Sequence, residues 1–169
     1  MIKFKLEKGI ELPKYESEKA VGFDIVANSI LKAFKGDVET SPDKLKKMEE
    51  GFQERGYIYI RPFERMLFHS GLTVADMSDD MELQVRSRSG IALKRGLFVA
   101  NQPGTIDSDY RGPVGVILYN STPFLVKVRK GERIAQVIPK KVIRPQISQE
   151  EIITETERGA GGFGSTGEN

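Results

Sequence analysis

Gly104-Thr105-Ile106-Asp107-Ser108-Asp109-Tyr110-Arg111-Gly112-Pro113-Val114-Gly115-Val116-Ile117-Leu118-Tyr119 sets an acid-rich segment between glycines, directly before an apolar run. Glycine lets the chain turn sharply, and a run rich in Val and Ile suits a pleated, half-buried strand. The segment reads as a β-hairpin that presents one carboxylate beside an aromatic ring, although an ordinary polar hairpin has the same pattern. Toward the N-terminus, Ile2, Phe4 and Leu6 alternate with Lys3, Lys5 and Glu7, the period of a strand with one buried face. Short apolar runs bounded by Gly, Pro, Asn or Asp recur at Phe23–Ala27, Tyr57–Ile60, Met66–Val74, Met81–Val85, Leu97–Ala100, Phe124–Val128 and Ile134–Ile138. Many short strands with turn signals between them predict an all-β sandwich, jelly roll or small barrel.

One segment departs from this period. From Ser41-Pro42-Asp43-Lys44 to about Arg55 the chain is rich in Lys, Glu and Met. Pro42 suits a first helical turn and Ser41 an N-cap, and Leu45, Met48 and Phe52 fall on one stripe, so a short helix is expected. From Arg158 onward, glycines and small polar residues cannot bury much surface, and the expectation is a mobile tail over 158–169 after a β domain over 1–157.

Composition excludes several kinds of protein. There is no cysteine, hence no disulfide, thiol nucleophile or cysteine-type zinc site, and one histidine, His69, cannot build a multi-histidine metal centre. Lys and Arg number 26 against 24 acids, a net charge of +2, whereas a binder of nucleic acid usually carries a strong basic excess. No apolar run approaches the roughly 18 residues of a membrane span, and the opening MIKFKLEKG resembles neither a signal nor a transit peptide, so the cytoplasm is the expected compartment.

Two further motifs carry candidate chemistry. Arg86-Ser87-Arg88-Ser89-Gly90 combines guanidinium, hydroxyl and glycine-freed backbone, which suits a polyphosphate cradle or simply a basic strand end. Lys130-Gly131-Glu132-Arg133-Ile134-Ala135-Gln136 reads as a turn feeding a strand. At the end, Gly159, Gly161 and Gly164 spell G-x-G-x-x-G, but with no strand before and no helix after they are not a dinucleotide site.

Taken in order, Val21–Ala27, Arg88-Ser89-Gly90, Gly104–Gly112, Gly131–Gln136 and Arg158–Gly167 resemble the motifs of the trimeric, all-β dUTPases along the whole chain. That resemblance implies a distorted jelly roll, a homotrimer, and hydrolysis of dUTP to dUMP and pyrophosphate, which keeps uracil out of DNA and supplies dUMP for thymidylate synthesis. It also implies a role for each matching residue. Asp107 is the general base that activates water for attack on the α-phosphorus, with Gln136 near that water. Tyr110 lies against the deoxyribose and leaves no room for a 2′-hydroxyl. Asn101 and the backbone through Gly104, Thr105, Ile106 and Gly115 read uracil. Arg88, Ser89 and Gly90 hold the α–β region of the triphosphate, and Asp24 holds Mg²⁺ through water. In the tail, Phe163 and Gly164 close over the base while Arg158, Ser165 and Thr166 take the γ-phosphate. Each site would lie between two subunits, with the third lending its tail.

The chain departs from the family pattern in three places. Val21 stands for the usual alanine, and Ser87 for the usual proline, which predicts a less rigid strand end before Arg88. Between Asp24 and Arg88 the chain is longer than is usual, through a helical insertion at about 36–56 that reads as a surface elaboration or a partner-binding element. A dUTP-sensing interaction protein that uses this insertion is one alternative. A dCTP deaminase-branch enzyme is another, although the third motif and the phenylalanine-bearing tail match the hydrolase form. Asp107 and Asp109 also have the spacing of a direct metal pair, His69 reads as a plain strand residue, and Asn120-Ser121-Thr122 is a formal glycosylation sequon.

Overall fold

The alternating runs become strands that pair antiparallel throughout. In the computed structural model, which describes residues 1–161, β1 (Ile2–Leu6) pairs with the second half of the long β6 (Glu64–Met77), placing Phe4 opposite Val74. The first half of β6 lies between β3 (Ser29–Lys35) and β10 (Pro113–Asn120), and β4 (Val38–Glu39) and β8 (Leu97–Val99) extend this sheet at its two edges. A second sheet has the order β2 (Phe23–Val26), β12 (Arg133–Lys141), β7 (Met81–Arg86), β9 (Gly104–Ile106). β5 (Tyr57–Ile60) and β11 (Val126–Arg129) form a small pair of their own. The inward faces supply the core, with Met66, Phe68, Val116 and Leu118 from one sheet and Ile25, Leu83, Ile134 and Val137 from the other, all essentially inaccessible. Two antiparallel sheets closed over one apolar layer make the all-β, jelly-roll-like sandwich that the alternation predicts. Midway along β6, Gly71 has φ of 82° and a Cβ there would collide with Ile10, so the bend between the two halves of the strand requires glycine.

The expected helix is present as α1 (Pro42–Arg55), with proline in its first turn and Gly56 in a left-handed cap at its end. Ser41 occupies the N-cap position, but its hydroxyl makes no capping hydrogen bond, contrary to expectation. Phe52 is fully buried and meets Phe68 edge-on at 6.0 Å, while Leu45 and Met48 pack at the rim. Glu49 accepts from the Ile30 amide at 2.6 Å, and Gln53 Nε2 donates to the Asn28 carbonyl at 2.9 Å. The insertion is therefore a surface element whose inner face forms part of the core.

Other expectations need correction. The Gly104–Tyr119 segment is not a simple hairpin: β9 pairs with β7 in one sheet and β10 with β6 and β8 in the other, so the acid-rich segment is a corner between sheets. The reason is packing, since Ile106 faces the Leu83 side of the core while Val114, Val116 and Leu118 belong to the opposite layer. A second helix, α2 (Ser89–Arg95), and the strands β3 and β4 were not evident from periodicity. His69 is, as expected, a plain strand residue, buried in β6 with Nδ1 at 3.0 Å from Glu7 Oε1 and Nε2 at 3.1 Å from the Leu72 carbonyl. Asn120 is fully buried and donates to the carbonyls of Ile60, Arg61 and Phe124, so the sequon is inaccessible. No helix among the described residues is long and apolar enough to cross a membrane.

Candidate active site

The predicted site residues fall into two groups. The first surrounds a cavity of about 360 Å³ between β9 and β10, lined by Asn101, Thr105, Ile106, Asp107, Tyr110 and Gly115. β9 pairs only with β7, and β10 pairs with β8 only over Leu118–Asn120, so the start of β10 and the outer edge of β9 stay open at the sheet corner and leave a slot. Leu31, Leu67, Pro113 and Ile117 complete its wall and supply apolar contact. Sequence reading missed these residues, because only the pairing of β3 and β6 brings Leu31 and Leu67 to the slot. Two glycines make room for it. A Cβ at Gly104 would sit 3.0 Å from the Asn101 amide nitrogen, and one at Gly115 would sit 2.9 Å from Leu67 Cδ1.

Asp107 follows β9 and is exposed, and its carbonyl accepts from the Tyr110 amide at 3.1 Å to close a tight turn. The Tyr110 hydroxyl donates to the Pro113 carbonyl at 3.1 Å, and Arg111 Nη1 donates to the Ser108 carbonyl at 2.7 Å. The turn is thereby fixed from both ends, and it presents a free carboxylate with a phenol ring beside it. Nothing pairs with the Asp107 side chain among the described residues, as a base waiting for water requires.

The second group lies on the outer face of the other sheet. Asp24 on β2, Gln136 on β12 and Arg86 on β7 stand in one cross-strand row. Asp24 Oδ2 is 3.0 Å from Arg88 Nε and 3.3 Å from Arg133 Nη1, and Arg88 Nη1 also donates to the Arg133 carbonyl at 3.0 Å. Gln136 Nε2 donates to the Ser87 carbonyl at 2.8 Å. Ser89 and Gly90 begin α2 beside this cluster and are exposed. Asp24, Glu16, Gly131 and Arg133 also line an adjoining cavity of about 340 Å³. Arg158 lies in the last described turn, its Nε donating to the Gly161 carbonyl, while Phe163, Gly164, Ser165 and Thr166 lie outside the described residues.

The strand register separates the two groups. Leu83 pairs with Ile106 and Val85 with Gly104, so Asp107 falls beyond one end of this ladder and Arg88 beyond the other. Six strand positions at about 3.3 Å each put their backbones on the order of 20 Å apart.

No group of three or more His, Cys, Asp or Glu is placed to hold a metal among the described residues. Asp24 is engaged by two guanidinium groups, and Glu16 also reaches Arg133 Nη1 at 3.1 Å, so the carboxylates here are charge-paired within the chain.

The sequence profile of the dUTPase family matches residues 54–167. Among curated relatives, the deoxyuridine 5'-triphosphate nucleotidohydrolase of Thermoanaerobacter sp. (strain X514) is 38% identical over 160 residues, covering 95% of this chain and 90% of that protein. That of Nautilia profundicola is 38% identical over 163 residues, covering 96% and 95%. The fold is similar to the Staphylococcus bacteriophage 80alpha dUTPase solved with dUPNHPP, at a TM-score of 0.75, 21% identity and 99% and 98% coverage. It is also similar to a mutant dUTPase from phage phi11 of S. aureus, solved to describe the coordination of a structural Mg(II) ion, at a TM-score of 0.68, 15% identity and 92% and 99% coverage. On the family profile and on relatives that match it almost end to end, this chain belongs to the dUTPase family.

Proposed function

We propose that the protein hydrolyses dUTP to dUMP and pyrophosphate at a site shared between copies of the chain. The observation that carries this reading is the slot between β9 and β10, which gathers the expected base Asp107 and five expected nucleoside-side residues, Tyr110 among them, around one cavity. Uracil enters the slot and pairs with the freed backbone of Thr105, Ile106 and Gly115 and with Asn101. Cytosine presents an exchanged donor there and leaves those groups unpaired, which can cost about 10⁴-fold or more in discrimination. Tyr110 packs on the deoxyribose and excludes a 2′-hydroxyl.

Asp107 takes a proton from water as the water oxygen attacks the α-phosphorus. The bond from that phosphorus to the α–β bridging oxygen breaks, and pyrophosphate leaves. Gln136 keeps Oε1 free to orient the water, because its Nε2 is engaged by the Ser87 carbonyl. Arg88 with Ser89 and Gly90 holds the α–β region, and Phe163 and Gly164 with Arg158, Ser165 and Thr166 close over base and γ-phosphate. Asp24 would hold Mg²⁺ through water, and a bound ion would supply screening of the triphosphate charge for in-line attack. The structural Mg(II) of the phi11 dUTPase supports metal use in the family.

Two observations support a site shared between copies, with the homotrimer as its proposed form. Asp107 and Arg88 lie beyond opposite ends of the β7–β9 ladder, an arrangement that suits supply of one of them by a second copy. The segment after β12 also leaves Ile143, Ile147, Ile152 and Ile153 between 85% and 97% exposed, a row of apolar side chains suited to another subunit's surface. Pyrophosphate release from dUTP by a species of three chains tests both statements. A monomer with full activity would contradict the shared site.

A further inference from the structure

Ser87, read in the sequence as standing for a proline of the motifs that the chain resembles, lies between β7 and Arg88. A proline has no N–H, whereas serine introduces a backbone donor here. The Ser87 amide donates to Gln102 Oε1 at 3.0 Å, and the Ser87 hydroxyl accepts from the Val99 amide at 2.8 Å. Its carbonyl accepts from Gln136 Nε2 at 2.8 Å. The strand end that sequence reading takes as loosened is thus held on three sides, by β8, by the loop after it and by β12. Because the carbonyl can only accept, it also decides which end of the Gln136 amide faces outward.

We propose that Gln102 and Ser87 are a compensating pair of positioning residues, which fix the end of β7 so that the Gln136 amide and the Arg88 guanidinium meet the triphosphate correctly. Neither touches substrate. Gln102 replaces, with one side-chain acceptor, the stiffness that a proline would supply through its ring. It also follows Asn101 directly, so the bond ties the phosphate-side cluster to the loop that lines the nucleoside slot. This inference rests on the dUTPase reading for its kinetic consequence, though not for its geometry.

The test uses the full chain with four variants: Gln102→Ala, Gln102→Glu, Ser87→Pro, and Ser87→Pro combined with Gln102→Ala. Gln102→Ala is expected to lower kcat for dUTP about five-fold, the scale of one ordinary hydrogen bond, with KM nearly unchanged. Gln102→Glu keeps an acceptor and restores kcat. In the Ser87→Pro background there is no amide to satisfy, so Gln102→Ala changes nothing further. The Gln136 side-chain amide resonance, read by NMR without turnover, shifts in Gln102→Ala and not in Gln102→Glu. An unchanged kcat and an unmoved Gln136 resonance in Gln102→Ala would overturn the pairing, as would an equal loss in both backgrounds. If the unaltered protein is inert toward dUTP, the dUTPase reading fails, and the Gln136 resonance still decides whether the pair positions that residue.

Discussion

Removing the Phe52 ring tests whether the helical insertion belongs to the core. Phe52 has no accessible surface and meets Phe68 edge-on at 6.0 Å, under a helix that also binds the Ile30 amide through Glu49. Phe52→Ala deletes a large buried group and leaves a void against β3 and β6, a change that costs about 3–5 kcal/mol. For a domain of this size each kcal/mol lowers the melting temperature by roughly 2–4 °C, so a fall on the order of 10 °C is expected. Leu45→Ala, at the half-buried rim, should cost only about 1 kcal/mol and a few degrees. Thermal unfolding followed by circular dichroism at one fixed protein concentration compares the three proteins. Fixed concentration matters because subunit association raises apparent stability by mass action. Equal, small shifts for Phe52→Ala and Leu45→Ala would refute the reasoning and make the helix a loosely attached ornament. Deleting residues 36–55 is expected to give insoluble or unfolded protein, since it strips the cover from Phe68.

Further outcomes follow from the site and its surroundings. Arg88→Lys should lower kcat/KM for dUTP by about ten-fold or more, because a lysine cannot hold Asp24 and the Arg133 carbonyl together as the guanidinium does; steady-state kinetics check this. A Cβ at Gly112 would collide with the Tyr110 ring, so Gly112→Ala should raise turnover of UTP relative to dUTP. An unchanged ratio would remove Tyr110 from sugar selection. Asp76 has its carboxyl held below the ordinary value by the hydrogen bond from Lys3, and the Lys3 ammonium is raised in turn. The small contribution of that exposed pair is therefore present above the usual carboxylate range and lost as pH falls through the lowered Asp76 value. At the alkaline end it is lost as pH rises through the raised Lys3 value. NMR titration should show both shifts, and Asp76→Asn should return Lys3 to its ordinary value. Sedimentation should give three times the 18.9 kDa chain mass, and truncation after Lys141 should dissociate it.

Much of this architecture is legible in the sequence because one-sided burial imposes a period of two. The alternation at Ile2, Phe4 and Leu6, and the runs that become β2, β5, β6, β7, β10 and β12, mark strands without reference to any partner. The stripe at Leu45, Met48 and Phe52 marks α1 in the same way. Long-range pairing leaves no such local trace. Nothing between Gly104 and Tyr119 says that β9 and β10 join different sheets, yet that separation opens the slot. α2 is short, and its exposed Leu93 breaks any apolar stripe, so periodicity does not mark it and Arg86–Gly90 reads as a cradle or a basic strand end. The motifs named the candidate site residues, including Asp107, Tyr110, Arg88 and Gln136. Their division into two groups at opposite ends of a ladder was not legible, because it depends on register. Ser87 was read from the loss of a ring alone, and only the fold brings Gln102, Val99 and Gln136 around it.

The most direct test of the account is pyrophosphate release by the purified protein with Mg²⁺, measured separately on dUTP, UTP, dCTP and dTTP and repeated with Asp107→Asn. Release from dUTP alone, reduced by about 10²-fold or more in Asp107→Asn while the variant keeps its fold and still binds dUTP, is the predicted result. Full activity in Asp107→Asn would contradict the assignment of the base. Failure to release pyrophosphate from dUTP would contradict the proposed function itself.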